Sequence, residues 1–160
     1  MTRAGASLRI LAAVLAACLL GCRPSLPTEA SVRRIVDGDT VQLADGQLVR
    51  YIGINAPEVR RKVAGRWVDA PEPFGLAASE ANRRLVEGRT VRLEYDVQTR
   101  DRFGRLLAYV YVGEAMVNEE LVREGFAEPL MIRPDVKHAE RFRTLADEAR
   151  RDPRGRWVAR

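Results

Sequence analysis

The stretch SVRRIVDGDTVQLADGQLVRYIGI, residues 31–54, decides the fold. Ser31 to Val36 reads as one strand and Thr40 to Ala44 as a second, parted by Asp37-Gly38-Asp39, residue types that favour turns for backbone reasons. Asp45-Gly46 is a tight-hairpin signal and leads into a third strand, Gln47 to Ile54. Three strands joined by such short turns form a meander.

Downstream of this meander, Asn55 to Pro73 has no sustained period and carries Pro57, Gly65, Pro71 and Pro73, so a long loop is expected there. Phe74, Ala77, Ala81 and Leu85 then recur at helical spacing, and Gly88 closes that helix. Thr90 to Asp96 alternates cleanly, with Val91, Leu93 and Tyr95 on one side and Arg92, Glu94 and Asp96 on the other, as a half-buried strand must. A polar loop from Gln98 to Gly104 precedes the β-branched and aromatic run Leu106 to Val112. A short helix bearing Leu121 and Val122 follows the Gly113-Glu114 turn, and Pro129 and Pro134 break the next segment. The final helix runs from about Val136 to Arg151 with Phe142, Leu145 and Ala149 on one side, and Trp157 docks the tail. The expected class is α+β, mainly β: a small antiparallel Greek-key barrel of five strands with three helices, the closed sheet used in OB-folds.

With 160 residues, 46% hydrophobic and 31% charged, the chain is sized for one globular domain. Residues 1–22 differ: Arg3 and Arg9 precede an apolar run, Ile10 to Leu20, too short to span a bilayer and suited to a secretory signal. Small residues lead into Cys18 and again into Cys22, and both resemble a lipobox. Cys22 is preferred because it leaves the longer apolar run. Residues 23–30 then form a Pro-containing linker and 31–160 the domain. The expectation is an exported protein, lipid-anchored to the cell envelope through Cys22 or secreted. Removing Arg3 and Arg9 from the 27 basic residues, against 22 acidic ones, leaves roughly +3, a mild bias toward polyanions.

The inventory excludes several mechanisms. With one histidine, His138, and both cysteines in the leader, a His/Cys zinc site cannot be assembled, and a Ser-His-Asp triad has no serine in a strained turn to serve. His138 reads as a surface or helix-capping residue. Carboxylate as ligand for a hard cation, carboxylate as general base and arginine as electrophile remain, a set suited to phosphoryl chemistry. Asp39 enters a strand as a hard-metal ligand would. Arg50 shares parity with Leu48, Ile52 and Ile54, so it either points into the barrel mouth toward an anionic partner or is solvated. Glu58 ends the Asn55-Ala56-Pro57-Glu58 strand terminus, and Arg105 opens the last long strand. Residue by residue, these features leave an enzyme and a binding module both open.

Four ordered motifs, VDGDTV (36–41), RYIGINAPE (50–58), DRFGRLLAY (101–109) and VNEELVREG (117–125), together resemble the staphylococcal nuclease family from about Val32 to Trp157. The resemblance implies an OB-type barrel with three helices and a calcium-assisted nuclease that hydrolyses the 5′ phosphoester bond of DNA or RNA and leaves 3′-phosphate ends. It implies that Arg50, Glu58 and Arg105 are catalytic, the arginines holding the phosphate and Glu58 acting as general base. It places the metal at Asp39, Asn55 and the carbonyl of Ala56, and substrate contacts at Arg102 and Phe103. No protein partner and a monomeric state are expected. Three departures stand out. Asn55 occupies a position where the best-known member has aspartate. Phe126 to Pro134 lacks that member's nucleotide-contacting tyrosines. The segment Val59 to Pro73 is longer and carries Arg60, Arg61, Lys62, Arg66 and Trp67, either as a solvated basic loop or as a substrate flap. The alternative function is a non-catalytic nucleic-acid-binding OB module at the envelope, which has no need of a carboxylate base beside two arginines.

Overall fold

A computed structural model describes residues 25–158. The leader at 1–22, Cys22 included, lies outside the described residues. Strand β1 (Glu29–Asp37) is followed by β2 (Thr40–Leu43), β3 (Leu48–Tyr51) and β4 (Ile54–Asn55). It begins inside the stretch read as linker, where the Tyr95 hydroxyl donates to the Pro27 carbonyl at 2.7 Å. Next come β5 (Arg60–Val63), β6 (Arg66–Asp69), helix α1 (Gly75–Val86), β7 (Thr90–Glu94) and β8 (Leu106–Val112). The chain ends with β9 (Ala115–Met116), α2 (Val117–Arg123), β10 (Glu128–Pro129), α3 (Ala139–Arg151) and a single helical turn, Gly155–Trp157.

The main sheet runs β3-β2-β1-β7-β8-β9 and closes by pairing β3 with β8, giving a five-stranded mixed barrel with three helices. The closing pair is parallel, with Val49 opposite Leu106 and Tyr51 opposite Ala108, so the barrel is not antiparallel throughout. The reason is arithmetical: strands that alternate direction around a ring of odd number must meet once in the same direction. Strand β1 serves two neighbours, pairing with β7 through Glu29–Ser31 and with β2 through Val32–Asp37. Register irregularities between Val32 and Arg34 and between Ile35 and Asp37 bend it from one to the other, as bulges do at barrel corners.

Other expectations shift in detail. The third strand breaks at Ile52-Gly53, leaving β4 to pair with β10 through Asn55 and Glu128. The segment expected to be a long loop holds a β5–β6 hairpin. Helix α1 buries Ala78, Ala81, Asn82 and Val86, so of the expected face Ala81 is buried, Phe74 and Leu85 are half-buried and Ala77 is exposed. A polar residue turned inward misleads a hydrophobic count, and Asn82 is turned inward because it has partners there: it accepts from the Tyr51 hydroxyl at 2.9 Å and donates to the Asp37 carbonyl at 3.0 Å. Asn118 is likewise fully buried, accepting from the Val110 N–H and donating to the Ile52 carbonyl, each at 2.9 Å. On α3 the expected face, Phe142, Leu145 and Ala149, is buried, and Trp157 packs the tail.

His138 stands at the start of α3, yet its ring does not cap that helix. Its Nε2 lies 2.9 Å from Glu94 Oε1, and Lys137 Nζ lies 2.9 Å from the same oxygen. Partial burial opposes ionisation of Glu94, but hydrogen bonds from Lys137, His138 and Tyr111 outweigh it and hold the carboxyl at about 2. A depressed carboxyl stabilises the fold above its unfolded pKa and loses that contribution as pH falls through the folded value. Glu94→Gln is therefore expected to lower unfolding free energy at pH 7 by about 1–2 kcal/mol, after allowance for solvent screening. Urea titrations at stepped pH should show the gap closing between pH 4.5 and about 2.

Candidate active site

At the mouth of the barrel, the turn after β1 sets Asp39 facing inward, where it is 3% exposed. Its Oδ2 accepts the Ala56 N–H at 2.7 Å and lies 3.0 Å from Arg50 Nη2, while Oδ1 accepts from the Thr40 hydroxyl at 3.1 Å. Burial pushes the carboxyl up to about 7; Asp37 adds to the rise, and Arg50 and the Ala56 N–H oppose it. An acid so poised gains from any additional cation.

Arg50 points into the mouth, which settles the parity question in favour of an anionic partner. Its Nη1 donates to the carbonyls of Tyr51 and Ile54 at 2.8 and 2.9 Å, and Nη2 reaches Asn55 Oδ1 at 3.0 Å. The two carbonyls flank the short break between β3 and β4, so the bend there is what fixes the guanidinium. One nitrogen thus touches both Asp39 and Asn55, bringing two of the expected metal donors to a single point.

Arg105 arrives from the other side of the closing pair. Asp101 Oδ2 accepts its Nε–H at 2.7 Å, and Oδ1 accepts the backbone N–H groups of Phe103 and Arg105 at 2.9 and 3.0 Å. Despite partial burial, those bonds hold the Asp101 carboxyl below the usual range. Fixed at Nε, Arg105 leaves its Nη groups without a hydrogen-bond partner among the described residues. Phe103 sits at the loop tip, 69% exposed, with the Arg102 guanidinium 4.7 Å and that of Arg105 5.7 Å from its ring centroid.

Glu58 begins the segment leading to the hairpin. Its N–H donates to Glu72 Oε2 at 3.2 Å and its carbonyl accepts the Glu72 N–H at 2.8 Å. Partial desolvation raises its carboxyl above the ordinary range, aided by Asp37 and Glu72 and opposed by Arg50 and Arg105. Glu58 and Arg105 line one cavity at the mouth, and Arg50 and Arg105 line the next. The first turn of α1 lies directly against Glu58, since a Cβ on Gly75 would meet the Glu58 carbonyl oxygen at 2.5 Å.

Among the described residues, no group of three or more His, Cys, Asp or Glu side chains could hold a metal ion. What the mouth offers is an oxygen-only set, one buried carboxylate with an amide oxygen and main-chain carbonyls beside it. That chemistry fits a hard divalent cation sharing its coordination with a substrate. Sequence reading brought Asp39, Arg50, Asn55, Ala56, Glu58, Arg102, Phe103 and Arg105 to this region, and the fold gathers them at one end of the barrel. It missed Asp37, Asn82 and Asp101, which position the others. Asp101 carried a signal, an aspartate two residues ahead of Phe103 in a loop, the spacing of a side-chain-to-backbone turn.

The chain has relatives among known proteins. Residues 48–159 match a family model described as staphylococcal nuclease homologue. The chain is 38% identical over 130 residues to the thermonuclease of Staphylococcus hyicus, covering 79% of this chain and 73% of that protein. It is 37% identical over 125 residues to the thermonuclease of Staphylococcus intermedius, covering 76% and 68%. Against endonuclease YncB of Bacillus subtilis it is 35% identical over 129 residues, covering 78% and 59%.

Gly38 makes the close approach possible: a Cβ there would lie 2.5 Å from that of Ala56 and 2.8 Å from that of Ala78. Gly38→Ala should therefore drive α1 and the segment at Ala56 apart and destabilise the protein by about 1–3 kcal/mol, measurable as a lower denaturation midpoint with unchanged m-value.

Proposed function

This chain belongs to the staphylococcal nuclease family, and we propose that it is a divalent-metal-dependent nuclease that hydrolyses the P–O5′ bond of DNA or RNA and leaves 3′-phosphate ends. The single observation that carries this reading is the placing of Arg50, Arg105 and Glu58 around two cavities that share Arg105, beside the buried Asp39.

Arg50, held by two carbonyls, and Arg105, held at Nε by Asp101, present fixed positive charge to a phosphate. Because neither needs to reorganise as charge develops on the non-bridging oxygens, their stabilisation falls on the transition state. Glu58 takes a proton from the attacking water at a carboxylate oxygen. Its raised affinity for protons makes it a stronger base than an ordinary surface glutamate. The new O–P bond forms as the bond to O5′ breaks, and the leaving oxygen is protonated from solvent. Asp39, the Asn55 amide and the Ala56 carbonyl would hold the cation, for which calcium is the proposed identity. When bound, it polarises the phosphoryl group and orients water. Asn55 in place of a carboxylate lowers the negative charge of the set, which favours weaker binding shared with the substrate phosphate.

Arg102 and Phe103 contact the flanking nucleotide, and the protein acts as a monomer with nucleic acid as its partner. The leader at residues 1–22 supports export with lipid attachment at Cys22. Palmitate should label the wild-type protein in cells and fail to label Cys22→Ala.

Purified mature protein is expected to cut single-stranded DNA in calcium and to stop on addition of chelator. Arg50→Ala and Arg105→Ala should each lower kcat by about 100- to 1000-fold, the scale of losing one fixed donor to the transition state. Glu58→Gln should reduce kcat while substrate affinity is kept. Salt-sensitive binding without products, in every metal tried, would instead identify a binding module.

A further inference from the structure

Two cavities flank the site. One, of about 620 Å³, is lined by Arg50, Leu107, Leu130 and Ile132 together with Phe103 and Arg105. The other, of about 430 Å³, is lined by Leu48, Glu58, Arg60 and Trp67, again with Phe103 and Arg105. They meet at the Phe103 ring and the Arg105 guanidinium. A phosphodiester held there carries a nucleoside on each side, so a strand passing through must use both cavities. The first sets aliphatic side chains among arginines and aspartates. The second has both an indole and a phenyl ring in its wall.

The indole's placement follows from the hairpin. Arg60 pairs with Asp69, Arg61 with Val68, Lys62 with Trp67 and Val63 with Arg66, so Trp67, Lys62 and Arg60 share one face. The connecting residues Ala64 and Gly65 both have positive φ, 47° and 82°, as a two-residue turn of the tight hairpin type requires. All eight paired residues are exposed, and Trp67 is 60% exposed. An indole this bare, on an arm carrying Arg60, Arg61, Lys62 and Arg66 against Asp69 alone, combines a π-face with a positive field. Those are the two elements by which proteins take unpaired nucleotides. A basic hairpin that served only to be solvated would have no use for the tryptophan, nor for turning it toward Glu58.

We propose that Trp67 and Phe103 form a second nucleobase site, on the hairpin side of the scissile phosphate, which grips an unpaired base and selects single-stranded substrate. The proposal rests on the nuclease reading above. A base within a duplex offers no free face to the indole, so the site discriminates by strandedness rather than by sequence.

The test compares wild type, Trp67→Ala and Trp67→Phe on dodecathymidylate and on thymidine 5′-(methyl phosphate), which has no base beyond the scissile bond. Trp67→Ala is expected to raise KM for the oligonucleotide about tenfold with kcat within about twofold, and Trp67→Phe to recover most of the loss. The methyl ester should be cleaved alike by all three. An unchanged KM on the oligonucleotide, or an equal loss on the ester, overturns the proposal. If wild type cleaves neither substrate, the nuclease reading fails, and the site is then judged by binding alone. Dodecathymidylate should quench fluorescence in wild type and not in Trp67→Ala, whereas an abasic deoxyribose-phosphate oligomer of equal length should quench neither. Equal quenching of wild type by both oligomers would refute base stacking.

Discussion

A carboxylate taken out of water is the constraint on which this barrel mouth depends. Asp39 is buried, and a buried carboxylate must be met by donors or give up its charge. The Ala56 N–H, the Arg50 guanidinium and the Thr40 hydroxyl meet it from different elements: the end of the β4 segment, β3 and the start of β2. Satisfying one side chain therefore fixes three pieces of backbone against one another. Gly38 admits the close contact, and the Tyr51–Asn82–Asp37 chain of hydrogen bonds ties the same turn to α1.

The two arginines are fixed differently. Arg50 is gripped by carbonyls that the break between β3 and β4 turns inward, so backbone geometry sets its position. Arg105 is gripped by a carboxylate from its own loop, with Asp101 also organising the backbone of that loop. Removing Asp101 would leave the guanidinium present and untethered, a loss of aim rather than of charge. Arg50 is met at both Nη groups, whereas Arg105 is held at Nε alone.

Much of this was legible in the sequence. Alternation in Thr90–Glu94 and the Asp45-Gly46 turn marked strands correctly, because there the solvent and core faces differ in polarity. The motifs gathered Arg50, Glu58 and Arg105 before any coordinates did. What escaped were the polar residues with inward partners. Asn82 and Asn118 look like surface residues until the carbonyls and amides they serve are known, and those belong to distant strands. The β5–β6 hairpin escaped for the opposite reason: both of its faces are wet, so no contrast in polarity exists to be read. Asp37 lay in a turn that backbone preference alone explained. Its influence on Asp39 and Glu58 is an effect of proximity, which one-dimensional reading does not reach.

The parallel closure of β3 on β8 has a consequence for the order in which the protein acquires its chemistry. Arg50 and Arg105 belong to segments far apart in the chain, and they become neighbours only when Val49 meets Leu106 and Arg50 meets Leu107. The meander of β1 to β3 is local and can assemble early, whereas its pairings with β7 and β8, Ser31 opposite Thr90 and Val49 opposite Leu106, both join distant stretches of chain, the slow kind to form. A partly folded chain would thus hold Asp39 and Arg50 with no Arg105 to oppose them. On the roles proposed for Arg50 and Arg105, activity recovered during refolding reports on the closed barrel rather than on the meander.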